Sequence, residues 1–189
     1  IGEQANRQNR LQVKGYQPWS RMANTEERKF SGVLGTFSAN LAMVSDALDT
    51  DVIHSHTWYA SLAGYMAKVL YNIPFIVTVH SLEPSRPWKE EQLGSSYHLT
   101  SWAEKIALEN ADRIIAVSRN SRDEILQYFN VDSERIAVIH NGIDIDIWKP
   151  SPAGATRRQW KIPRDYILFV GRTSRQKGLK YLIEAMAQI

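Results

Sequence analysis

The stretch that decides the fold is residues 51–80, DVIHSHTWYASLAGYMAKVLYNIPFIVTVH. It opens with the short β-branched run Asp51-Val52-Ile53-His54-Ser55 and continues from Ala60 to Leu70 with apolar residues at helical spacing. It then turns at Pro74 and ends in Phe75-Ile76-Val77-Thr78-Val79. Short apolar runs between turn signals read as strands, and apolar residues recurring at the helical period read as a helix. A strand, a helix long enough to cross back, and a second strand make a parallel βαβ unit.

The same alternation extends in both directions. Upstream, Phe30, Val33, Leu34, Phe37, Leu41, Val44 and Leu48 follow one helical stripe, with Asn24 and Glu27 spaced as a capping box before it. Downstream, Ser101 and Glu104 are spaced as a capping box for a helix carrying Trp102, Ile106 and Ala107; the helical stripe argues that Trp102 belongs to the core. Arg113-Ile114-Ile115-Ala116-Val117 predicts another strand, Ser121 with Glu124 opens a helix to about Phe129, and Ile136-Ala137-Val138-Ile139 predicts a last strand. The fold class expected is α/β, a doubly wound parallel sheet with helices on both faces. The pattern breaks at His140-Asn141-Gly142, and a polar stretch with Pro150, Pro152, Gly154 and Pro163 follows. Tyr166-Ile167-Leu168-Phe169-Val170 predicts a strand that starts a second domain of the same kind. The division expected is a first domain over 1–140, a linker over 141–164, and the start of a second domain over 165–189.

Composition narrows the function classes. The chain has 189 residues, 43% hydrophobic, enough for a real core. It contains no cysteine, which removes disulfides, thiolate metal sites and cysteine nucleophiles, and a cytoplasmic setting is the simplest expectation. Lys and Arg number 23 against 20 Asp and Glu, interspersed and not gathered into a basic arm, so nucleic acid is not an expected partner. No apolar run reaches the roughly 18 residues a membrane helix needs. The start at Ile1 and the stop at Ala187-Gln188-Ile189, inside a helical pattern, read as those of a fragment.

In a parallel α/β sheet ligands bind at the carboxyl ends of the strands, and four strand ends carry polar residues. His54-Ser55-His56-Thr57-Trp58 puts two imidazoles at i and i+2 on one face. With no third ligand at a diagnostic spacing, a His54 satisfied in the core and a pocket-rim His56 is the preferred reading over a metal site. His80 follows Val79, where an imidazole either hydrogen-bonds a substrate hydroxyl, moves a proton, or serves packing alone. Ser118 follows Val117 as a nucleophile or as a helix cap, and no Gly-x-Ser-x-Gly elbow surrounds it. Gly171-Arg172 with Lys177-Gly178 outlines a phosphate site: a glycine for close backbone approach, a helix start, and two cations. A solvated basic pair is the alternative. Asp144-Ile145-Asp146 and Asp49-Thr50-Asp51 both match Asp-x-Asp, a pattern too cheap to signal a cation.

Taken jointly, His54-Ser55-His56-Thr57-Trp58-Tyr59-Ala60, Thr78-Val79-His80-Ser81-Leu82-Glu83-Pro84, Ala116-Val117-Ser118, His140-Asn141-Gly142-Ile143-Asp144 and Val170-Gly171-Arg172-x4-Lys177-Gly178 resemble, in order, the retaining glycosyltransferases of family 4. The loop Arg86 to Gly94 is similar to that of the short bacterial glycogen synthases, including those that make maltose 1-phosphate. The resemblance implies a GT-B architecture, whose N-terminal Rossmann-like domain holds the acceptor and whose second domain holds the nucleotide sugar. It implies a hexosyltransferase moving glucose from ADP-glucose or UDP-glucose to an α-1,4-glucan or to glucose 1-phosphate. His80 is then the active-site histidine and contacts the donor sugar. Gly171, Arg172 and Lys177 hold the donor diphosphate in place of a metal, and His56, Trp58, Glu83, Trp88 and Ser118 line the acceptor cleft. No cofactor is expected. The family's glycine-rich loop would precede Ile1 and its glutamate pair would follow Ile189, so the stretch by itself would not turn over. An acceptor such as inositol phosphate, glucose or a lipid is the alternative within the family. A non-catalytic nucleotide- or carbohydrate-binding module, with Trp58, Trp88 and Trp102 as stacking surfaces, is the alternative outside it.

Overall fold

The computed structural model describes residues 12–20, 28–46, 49–150, 154–163 and 165–188. The Asn24–Glu27 capping box and Leu48 lie outside them. The chain divides into two compact units, 1–142 and 143–189.

The first unit begins with helix α1 (Arg28–Val44), followed by β1 (Ile53–His56), α2 (Trp58–Tyr71) and β2 (Phe75–Val79). Next come the short α3 (Trp88–Leu93), α4 (Ser95–Asn110), β3 (Arg113–Ala116), α5 (Arg119–Tyr128) and β4 (Ile136–Val138). The four strands pair side by side in the order β1-β2-β3-β4, all parallel. The α/β parallel sheet read from the βαβ pattern is thus the fold found.

Register places Ile53 beside Phe75, Val77 beside Ile114, and Ile114 beside Ile136. Those side chains therefore share one face, and they form the core with Ala107 and Leu108 of α4, Ala111 just after it, Ile125 of α5 and Phe129 just beyond that helix. On the opposite face stand His54, His56, Ile76, Thr78 and Ile115. Of these Thr78 is buried and both histidines are exposed.

Three contacts fix α2 against its neighbours. A Cβ at Gly64 would lie 2.2 Å from Phe75 Cε2, so only glycine lets the helix come this close to β2. Buried Asn40 of α1 donates from Nδ2 to Tyr59 O and accepts at Oδ1 from Ala63 N, bridging a carbonyl and an amide one helical turn apart in α2. At the amino end of β2, Asp112 accepts from Phe75 N and pairs with Lys68 of α2 at 2.7 Å.

Two helix starts differ from the sequence reading. α4 begins at Ser95, six residues before Ser101, because the buried face of the helix extends back through Ser96 and Thr100. Ser101 is then mid-helix and Glu104 does not cap it. α5 begins at Arg119, capped by Ser118 and not opened by Ser121. Trp102 is 48% exposed and stacks on Phe37 with ring centroids 6.4 Å apart, so it is not a core residue.

The second unit contains α6 (Gly154–Gln159), a 3₁₀ turn over Arg175–Lys177 and α7 (Leu179–Met186). Tyr166–Val170, expected as a strand, forms none. A strand exists only when a neighbour completes its hydrogen bonds, and among the described residues of this unit there is none, which leaves Leu168 and Val170 exposed.

Candidate functional site

The carboxyl edge of the first unit's sheet assembles the site. His56 pairs in register with Thr78, so His80, two residues further along, stands on the same side. Nδ1 of His56 lies 3.0 Å from Nε2 of His80, and the rings are nearly parallel with centroids 5.3 Å apart. His54 continues the row, 4.6 Å from His56 between centroids, with its Nε2 2.7 Å from Thr78 Oγ1. Desolvation, and secondarily the neighbouring His56, pushes the His54 pKa below its ordinary value. His54 is therefore held neutral and hydrogen-bonded, though on an open sheet face and not in the core. Among the described residues no group of three or more His, Cys, Asp or Glu converges as a metal site.

Between β1 and α2 the backbone is strained. Thr57 has φ 64° and ψ 161°, a region that side chains other than glycine's rarely enter and that costs about 1–3 kcal/mol. Its carbonyl accepts from Ala60 N, Ser61 N and Ser61 Oγ, which holds the conformation in place. The sharp turn aims His56 outward and starts α2 at once with Trp58. Trp58 is buried, its ring stacked on Tyr59 at 4.2 Å. A cavity of about 670 Å³ opens here, lined by His56, Thr57, Tyr59, Thr36 and Tyr16 among others. A smaller one of about 270 Å³, lined by Trp58, Tyr59, Lys89, Gln92 and Thr100, adjoins it. Tyr59 borders both.

Ser118 lies at the same edge, beyond β3. Its Oγ accepts from Ser121 N and donates to Ser121 Oγ, both at 3.0 Å, so the hydroxyl is committed as a helix cap. His140, beyond β4, donates from Nδ1 to Val117 O, since a carbonyl can only accept.

Glu83, expected in the acceptor cleft, is fully buried beneath its own loop. Its Oε1 pairs with Arg86 at 2.6 Å and Lys89 at 2.8 Å, and its Oε2 accepts from Thr100. Glu83 therefore anchors the segment Arg86 to Gly94. Trp88, half-buried, opens α3 on that anchored segment. Beneath it, Glu104 accepts from Glu83 N at 2.7 Å. Burial, opposed by that hydrogen bond, raises the Glu104 pKa to about 7.

In the second unit Arg172 and Lys177 are exposed on one short loop. Ser174 N donates to Arg172 O and Lys177 N to Ser174 O, and Gly178 at φ 70° turns the chain into α7. The Gly171 backbone packs against the stem of Lys177, where a Cβ would sit 3.7 Å from its Cγ. Asp144 Oδ1 accepts from Asp146 N and Ile147 N, closing its own turn.

Sequence reading did not single out Thr57, Asn40 or Glu104 for these roles. A positive φ has no signature in a threonine. Asn40 and Glu104 acquire partners 19 to 23 residues away that no local pattern encodes.

Residues 6–147 match Glycosyltransferase Family 4. The chain is 44% identical over 164 residues to the alpha-maltose-1-phosphate synthase of Mycolicibacterium smegmatis, covering 84% of this chain and 42% of that protein. It is 29% identical over 140 residues to the D-inositol 3-phosphate glycosyltransferase of Thermobispora bispora, covering 72% of this chain and 33% of that one. This chain thus spans less than half the length of these curated relatives. Among solved structures, Anabaena Alr3699/HepE in complex with UDP-glucose matches with TM-score 0.65 and 26% identity over 80% of this chain and 40% of that one. Sucrose-phosphate synthase (tll1590) from Thermosynechococcus elongatus matches with TM-score 0.65 over 87% of this chain and 40% of that one, and at 24% identity it speaks for the fold alone.

Proposed function

The chain belongs to glycosyltransferase family 4, and from that membership we propose that it is the acceptor side, with the beginning of the donor side, of a retaining glucosyltransferase. The enzyme moves glucose from ADP-glucose or UDP-glucose to glucose 1-phosphate or an α-1,4-glucan. The observation that carries this reading is the 44% identity to alpha-maltose-1-phosphate synthase, well above the 29% to a D-inositol 3-phosphate glycosyltransferase. The anchored loop Arg86 to Gly94 beside the aromatic-lined cavities agrees with a sugar acceptor.

His80, with Nε2 on His56, meets the donor sugar at the sheet edge. Arg172 and Lys177 meet the donor diphosphate, where they stabilise the charge that grows as the leaving group departs. The Ser118 hydroxyl caps a helix and is not free to act as a nucleophile. Transfer with retention then needs the leaving phosphate to take the acceptor proton. The diphosphate charge is met without a metal.

The protein carrying this chain, offered both donors with glucose 1-phosphate, glycogen and D-inositol 3-phosphate in turn, should transfer to glucose 1-phosphate or glycogen and keep its rate in chelator. Transfer to inositol phosphate alone would refute the acceptor assignment. Loss of rate in chelator with recovery in manganese would refute metal independence.

A further inference from the structure

We propose that His56 is a positioning residue for His80, selecting its ring orientation and tautomer so that Nδ1 is the ring nitrogen His80 presents to a sugar hydroxyl. The inference rests on the reading of His80 as a donor-sugar contact and adds to it a partner residue.

An imidazole at the end of a strand has a broad, two-fold χ2 preference, so a solvated His80 would sample flipped rings. The 3.0 Å contact from His56 Nδ1 to His80 Nε2 selects one of them. His56 is itself held. It is fixed to β1 opposite Thr78, and its ring lies between those of His54 and His80. His54 in turn is tied to the buried hydroxyl of Thr78. The row is thus anchored in the sheet at one end and reaches the carboxyl edge at the other.

The protons follow from the geometry. A neutral imidazole offers one donor and one acceptor, and one hydrogen lies between the two facing nitrogens. If His56 Nδ1 carries it, His80 Nε2 accepts and His80 Nδ1 is the protonated atom, able to donate to a sugar hydroxyl. If His80 Nε2 carries it, His80 Nδ1 is bare and accepts from that hydroxyl. In both arrangements Nε2 is committed to His56, and the state of Nδ1 follows from which of the two rings carries the shared hydrogen.

The test joins spectroscopy to kinetics. In alkaline solution, ¹⁵N ring spectra of the 189-residue chain should show His80 in a single tautomer. His56→Asn, whose carboxamide reaches about where Nδ1 stood and can face Nε2 with its oxygen or its nitrogen, should keep Nε2 hydrogen-bonded and one tautomer dominant, and His56→Leu should give a mixture. In a preparation that transfers glucose, His56→Leu should lower kcat by about 10²-fold, with donor KM changed by less than about threefold. His56→Asn should recover most of that loss. Melting curves identify any variant that fails to fold, and the asparagine variant then carries the comparison alone. An unchanged His80 tautomer in His56→Leu would overturn the proposal, as would equal impairment of the leucine and asparagine variants. If the spectra show the coupling while His80→Ala turns over normally, the sugar contact is wrong and the positioning pair stands.

Discussion

Glu104 shows how one side chain can set a pH dependence. Its carboxyl is shielded by α4 and by the loop that Glu83 anchors, and its pKa rises from 4.5 to about 7. A carboxyl with a raised folded-state pKa binds its proton more tightly when folded. Its favourable contribution is full below about pH 4.5 and is lost as pH rises through about 7. The difference amounts to on the order of 3 kcal/mol. His54 acts oppositely, since its lowered pKa favours the folded state at higher pH and that contribution is lost as pH falls. Glu104→Gln keeps the acceptor for Glu83 N and removes the titration. Urea midpoints across pH 6 to 8 should therefore fall less steeply in the variant than in the wild type. Parallel curves would show that Glu104 does not titrate there.

Thr57 makes a prediction of the opposite kind. Its backbone strain of about 1–3 kcal/mol disappears with glycine, which adds about 0.5–1 kcal/mol of unfolded-state entropy. Thr57→Gly should melt no lower than the wild type, yet transfer more slowly, because the turn that aims His56 loosens. A large drop in melting temperature would mean the threonine side chain matters more than its backbone.

At the scale of elements, the packing of α2 on β2 depends on the absence of one methyl group. Any Cβ at Gly64 overlaps the Phe75 ring, so Gly64→Ala should cost about 1–3 kcal/mol despite the better helix propensity of alanine. Chemical denaturation measures this directly, and a stabilised alanine variant would contradict the packing. The long helices of the first unit were legible in the sequence because their apolar residues recur every turn, whereas the short α3 and α6, which lack such a stripe, were not; helix starts were legible less often. Ser101 and Glu104 have capping-box spacing but lie inside α4. The burial of Ser96 and Thr100 carries the helix past them, and a local spacing cannot compete with tertiary packing. Ser118, by contrast, caps α5 as its place after a strand suggested.

At the scale of the whole molecule, the two units carry different halves of the proposed chemistry. The first offers an imidazole row and aromatic-lined cavities; the second offers Arg172 and Lys177 on one loop. If that loop meets a diphosphate whose charge grows in the transition state, Lys177→Ala should lower kcat/KM by roughly 10² or more, about 2.7 kcal/mol. Arg172→Lys should also be costly, because an ammonium cannot make the two-pronged contact of a guanidinium. Steady-state kinetics with a melting control decides this. Near-normal kcat/KM in both variants would reduce the pair to solvated surface charge, whose loss changes stability by about 0.5 kcal/mol or less.

The sequence by itself determined the parallel sheet and the histidines at its carboxyl edge. Apolar runs such as Phe75 to Val79 and the helical stripe of Ala60 to Leu70 are local patterns with one economical solution, and chain order then puts His56, His80 and Ser118 after successive strands. Tertiary structure alone decided what those side chains do. The His56–His80 contact joins residues 24 positions apart. The cleft residue Glu83 became a buried anchor because Arg86 and Lys89 close over it. Tyr166 to Val170, strand-like in composition, has no neighbour to pair with among the described residues of its unit. Local propensity chooses an element's type, whereas burial, hydrogen-bond partners and tautomers belong to groups distant in sequence, and only folding brings them together.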